Sequence, residues 1–203
     1  MQLSNWVCKT CYYRIIAGVP DSPRHTGHIR SSTGFPMSIE LLERPVESHD
    51  PLDIIEQMAL GLDHECERVD EHELHVVTAG AWRDTGIWFT WRRELSTLQM
   101  GAPLDLKAPE GKEQTVSRLV AMVNERLWIG HFDLWSDDNA IVYRNAIILP
   151  ETATVDGLQA EMLIKGTSEA IERFYPAFNF LIWGDKTPQE ALQSSMFETA
   201  GSA

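Results

Sequence analysis

Three stretches between Glu73 and Ala102 change side-chain character at every second residue. Leu74, Val76 and Thr78 alternate with Glu73, His75 and Val77. Ile87, Phe89 and Trp91 alternate with Trp88, Thr90 and Arg92, and Leu98, Met100 and Ala102 alternate with Thr97 and Gln99. A period of two puts each set on one face of a strand, and β-branched and aromatic residues suit a pleated surface. The separators AGAWRDTG and RRE are short enough for hairpins. A weaker strand signal, Glu65 to Val69, precedes them. Antiparallel strands with one apolar face need a second layer to cover it, so the rest of the chain is read for helices.

Helical spacing flanks these strands on both sides. Asp50 suits an N-cap, Pro51 the first helical position and Asp53 the first turn. Leu52, Ile55, Met58, Ala59 and Leu62 then fall on one face. Val116, Leu119, Val120, Val123 and Leu127 predict a second helix, with Gly130 as its stop. Phe132 and Leu134 alternate with His131, Asp133 and Trp135, and Ser136-Asp137-Asp138-Asn139 turns the chain into a returning strand, Ala140 to Leu149. Val155, Leu158, Met162, Ile171 and Phe174 mark a long helix, which Pro176 is expected to end or kink near Tyr175. Thr187-Pro188-Gln189-Glu190 is a capping box that starts a last helix through Ala191, Leu192 and Met196. The fold class is α+β: an antiparallel sheet with helices packed on one face, in the order α-β-β-β-α-β-β-α-α.

Charge divides the chain. Among 203 residues the net charge is −13. Residues 1–36 hold four of the 17 basic side chains and one of the 30 acidic ones, which leaves 13 basic against 29 acidic in residues 37–203. Residues 20–36 have the Pro, Ser, Thr and Gly content of a loop. Residues 1–47 are therefore expected to be a disordered tail, with Met37 a plausible true start, and residues 48–200 the domain. No run of about 18 apolar residues is present, and the N-terminal apolar patch is too short for a secretory signal. Three cysteines do not make a disulfide framework. The expected location is the cytoplasm. So acidic a chain repels a phosphate backbone, and neither nucleic acid nor membrane is an expected partner.

No array of chemically active residues stands out. Cys8, Cys11, His25 and His28 have a zinc-like order, but two residues between the histidines is below the usual three to five. They are expected to bind no metal. His72 and His75 are three apart, on opposite faces of a strand. Cys66 lies in an acidic stretch that disfavours a thiolate. His131 and Asp133 share a strand face and could support acid–base chemistry. That face is the alternative reading, a small-molecule sensor or an enzyme. Trp82, Trp88, Trp91, Trp128, Trp135 and Trp183 divide between core and recognition surface, and four of these six are expected in the core. The expected partner-binding residues are Trp88, Trp91, His131, Asp133 and Trp135.

Two long stretches carry a resemblance. One is NERLWIGHFDLW, from Asn124 to Trp135. The other is ERFYPAFNFLIWG, from Glu172 to Gly184, with KTPQEAL following from Lys186 to Leu192. With Pro51 to Ile55 and the strand around Trp88 to Trp91, they resemble the bacterial YbjN-like family, described as sensory transduction regulators. The resemblance covers about residues 48–200. It implies a fold similar to type III secretion chaperones, no known catalytic residues and no cofactor. It also implies a regulatory, protein-binding role with a protein partner and a possible homodimer.

Overall fold

Asp50 caps the first helix, α1 (Pro51–Gly61), through its Oδ1, which accepts the Leu52 N–H at 2.9 Å. Leu52, Ile55 and Ala59 form its buried side. The structure, a computed structural model, describes residues 50–150 and 153–200. These fall in a unit spanning Val46–Ala203. The tail, the Met37 start and the Cys8, Cys11, His25 and His28 array lie outside the described residues.

Four strands follow α1: β1 (Glu65–Asp70), β2 (Glu73–Thr78), β3 (Thr85–Arg92) and β4 (Thr97–Lys107). The weak signal at Glu65 is thus a true strand, and the order has one more strand before the second helix than expected. Next come α2 (Glu113–Asn124), β5 (His131–Trp135), β6 (Ala140–Ile148), α3 (Gly157–Trp183) and α4 (Pro188–Ala200). The sheet runs β1-β2-β3-β4-β6-β5, antiparallel throughout.

Alternation decides what each face buries. Leu74 and Val76, Ile87 and Phe89, Leu98 and Met100, Ile141 and Tyr143, and Phe132 join Leu52, Leu119, Ile164, Phe174 and Phe178 of the helices in one core. Phe132 is the centre of an aromatic cluster, 5.4, 6.1 and 5.2 Å from the rings of Tyr143, Phe174 and Phe178. The opposite face of the sheet carries no described helix.

Two helix ends depart from the sequence reading. α2 stops at Asn124, six residues before Gly130. There the Asn124 carboxamide turns to the backbone of Phe132 and binds both its N–H and its C=O. Gly130 instead shapes the entry to β5. It sits at φ +69°, and a Cβ there would lie 2.2 Å from the Tyr143 hydroxyl. α3 does not end near Tyr175 but runs through Pro176 to Trp183. A proline inside a helix costs about 3 kcal/mol. Beyond it, Phe178, Leu181 and Ile182 are buried, each such side chain contributing about 1.5–3 kcal/mol. Packing therefore outweighs the local cost. α4 starts as expected: the Thr187 hydroxyl and N–H both donate to Glu190 Oε2, at 2.7 and 2.9 Å. These bonds hold the Glu190 carboxyl below its ordinary range.

Candidate functional site

The sheet face without a described helix, the helix-free face in that sense, has a row that crosses all six strands. Register pairs Glu67 with His75, His75 with Trp88, Trp88 with Gly101, Gly101 with Arg144, and Arg144 with His131. Residues on one row of one face have side chains within contact range of their neighbours. Trp88 uses the space left by Gly101: a Cβ on Gly101 would lie 2.2 Å from Trp88 Cζ2. The indole is thereby laid against the sheet, and Trp88 is only 8% exposed.

Charged groups pair along this face. Arg144 Nη1 stands 3.4 Å from Asp133 Oδ2, and the Arg144 Nε is buried without a hydrogen-bond partner. His75 Nε2 is 2.6 Å from Glu73 Oε1. Asp133 therefore meets a guanidinium, and the imidazole of His131 stands opposite that same arginine in register. A carboxylate placed to fix a histidine tautomer would bond the ring itself. Here it is engaged by Arg144, which suits binding better than proton transfer.

The sequence-derived residues separate by face. His131, Asp133 and Trp135 lie together on the helix-free side of β5, His131 exposed and the other two half-buried, and Trp88 lies on the same side of the sheet. Trp91 is on the other side, 9% exposed, inside the core. The period-two pattern separates Trp88 from Trp91 but does not say which face the helices cover. Fewer tryptophans are in the core than expected, because Trp82, Trp128 and Trp183 are 48%, 99% and 76% exposed. Gly101 and Arg144 were not singled out from the sequence, since only strand register places them beside Trp88 and Asp133. His72 lies in the turn between β1 and β2, away from His75 on its strand. Burial, and then the Glu56 carboxylate, push the Cys66 thiol up to about 11, against the pull of Arg68. That keeps it a thiol at neutral pH. Among the described residues no group of three or more His, Cys, Asp or Glu side chains is placed to hold a metal ion. None of the described helices is long and apolar enough to cross a membrane.

A family model described as "putative bacterial sensory transduction regulator", YbjN, matches residues 51–180, from the first residue of α1 into the second half of α3. The chain belongs to the YbjN family. The match takes in the whole sheet and the helix-free face of this YbjN-family protein. Among solved structures, the chain is similar to YbjN of E. coli, described as a "putative transcription regulator". The two share 14% identity with a TM-score of 0.43, over 60% of this chain and 85% of that one. No curated protein matches the chain significantly.

Proposed function

We propose that this YbjN-family chain is a non-enzymatic regulatory module of the cytoplasm that binds a protein partner on its helix-free sheet face. The supporting observation is the row from Glu67 to His131, with Trp88 laid over Gly101 and Asp133 held by Arg144. Such a face offers the half-buried Trp135 beside fixed charges, aromatic and charged groups being those that dominate protein recognition, while Trp88, itself buried, backs them from within the sheet surface. Trp135 and His131 extend it to the β5 edge. Trp91 has no part in it, being packed in the core. The acidic balance of residues 37–203 selects a basic or amphipathic partner segment.

Affinity capture with the full chain from native-host lysate at moderate salt, read by mass spectrometry, tests this. A near-stoichiometric protein partner is expected. Its recovery is expected to fall about tenfold or more with Trp135→Ala combined with Asp133→Arg. Recovery of the bait alone, or of a partner indifferent to those changes, would overturn the reading of this face.

A further inference from the structure

Trp128 is 99% exposed and Ile129 beside it is 67% exposed. The loop between α2 and β5 that carries them is fixed at several points. At its base, Asn124 Nδ2 donates to the Phe132 C=O at 3.0 Å, and Asn124 Oδ1 accepts the Phe132 N–H at 2.8 Å. The Tyr143 hydroxyl donates to the Ile129 C=O at 3.1 Å, and Gly130 takes the left-handed turn that packs against that hydroxyl. The Arg126 N–H donates to the Val123 C=O at 2.9 Å. A large aromatic side chain is thus held out in water by a backbone that cannot easily fold it inwards. Contiguous exposed apolar surface on a pre-organised loop marks an interaction site, because little ordering remains to be done on binding.

The geometry also limits how a partner could engage. β5 is an edge strand, and an open edge invites a further strand. The Asn124 carboxamide already occupies the outward N–H and C=O of Phe132, the second residue of β5. Strand addition is blocked at that residue, next to the loop, and what projects from the loop is a side-chain pair that needs a concave receptor. Charge then selects among receptors. Residues 37–203 hold 29 acidic side chains against 13 basic ones, and within this loop Glu125 is offset by Arg126, whose Nη1 is 3.9 Å from its Oε2, so the surrounding surface sets the sign of the field. A second copy would bring like charge to like charge, whereas a basic rim would be attracted.

We propose that Trp128 and Ile129 are an anchor that inserts into an apolar pocket rimmed by lysine or arginine on a separate partner protein. This rests on the protein-binding reading above but not on the sheet face itself.

The test places the photo-crosslinker p-benzoylphenylalanine at position 128 of the full chain in its native host. The adduct is mapped by mass spectrometry, and the adduct protein is then purified and titrated with the full chain. The expected adduct lies among apolar residues flanked by Lys or Arg on a different protein. Trp128→Ala is expected to weaken the titration at least about thirtyfold, about 2 kcal/mol at 1.4 kcal/mol per tenfold. It should leave the urea midpoint unchanged, since so exposed a side chain holds no core contact. Added NaCl should weaken binding further. Adducts to a second copy or to lipid would overturn the proposal. So would adducts no more frequent than from the same probe at the exposed Glu71 position, or a Trp128→Ala chain that titrates like the parent. Trp135→Ala with Asp133→Arg separates the two readings. If that variant binds normally and Trp128→Ala does not, the sheet face fails and the anchor stands; the reverse result removes the anchor and keeps the face.

Discussion

Gly101 is bare because the Trp88 indole occupies the space a side chain would need. Three atoms of that ring system lie within 2.8 Å of where a Cβ would stand. Gly101→Ala must push the indole off the sheet or bend β4 away from β3. Overpacking of this kind costs about 1–3 kcal/mol. A lower urea midpoint is expected, together with a red-shifted tryptophan emission as Trp88 meets water. Adding Trp88→Val should recover part of the loss, because the second change removes the atoms with which the first collides. Additive losses in the double variant would show that the two residues do not share the space. Half of this relation is legible in the sequence. The period-two pattern assigns Trp88 and Trp91 to opposite faces, but the pairing of Trp88 with Gly101 depends on a cross-strand register that no local pattern encodes. Arg144 and Asp133 meet for the same reason. Asn124 escapes notice differently, since a polar residue in a helical run reads as solvent-facing until the strand it clamps is known.

The elements show where local propensity holds and where packing overrides it. Both N-caps read from the sequence, Asp50 and Thr187, form as expected, their side-chain oxygens accepting the Leu52 and Glu190 N–H groups, because capping is a contest among neighbouring residues only. The helix through Pro176 does not end there. The proline lacks the N–H that would have bonded to the Glu172 C=O, and the apolar stripe beyond it is long enough to keep the turn helical. Likewise, Leu127 extends the apolar spacing of α2 on paper, yet the helix stops at Asn124, and Trp128 emerges in the loop. Periodicity counts apolar residues but not whether a neighbouring surface is there to receive them. Pro176→Ala tests the balance of terms within α3. It restores a backbone donor, a gain of about 3 kcal/mol by intrinsic propensity. It also deletes two buried methylene groups, a loss of about 1.6 kcal/mol. A variant about 1 kcal/mol more stable is expected by urea denaturation. A clear loss of stability would mean that the buried proline ring is worth more to its packing than its missing hydrogen bond costs.

Across the whole molecule, the excess of acid acts on the fold and on binding with opposite sign. Among the described residues, Arg68, Arg83, Lys107, Lys112, Arg126, Arg144 and Lys165 each already face a carboxylate. With 29 acidic side chains against 13 basic ones in residues 37–203, the carboxylates beyond these pairs meet mostly like charge, and the folded state concentrates that repulsion. Salt screens both effects, with a Debye length of about 10 Å at 0.1 M. Exposed ion pairs contribute only about 0–1 kcal/mol each, so their loss is small, while a net charge of −13 is relieved over the whole surface. Raising NaCl from about 0.02 to about 0.2 M at pH 7 is therefore expected to raise the urea midpoint, and KCl should do the same. Sulfate is the wrong salt for this test, because it also strengthens apolar burial. The same change in NaCl should weaken association with a basic partner, whose attraction it screens. Salt that lowered the midpoint would mean that the Arg68 network with Asp50, Asp53 and Glu56 outweighs the surplus charge. The acidic surface would then be a net support of the fold and not a feature kept at its expense for recognition.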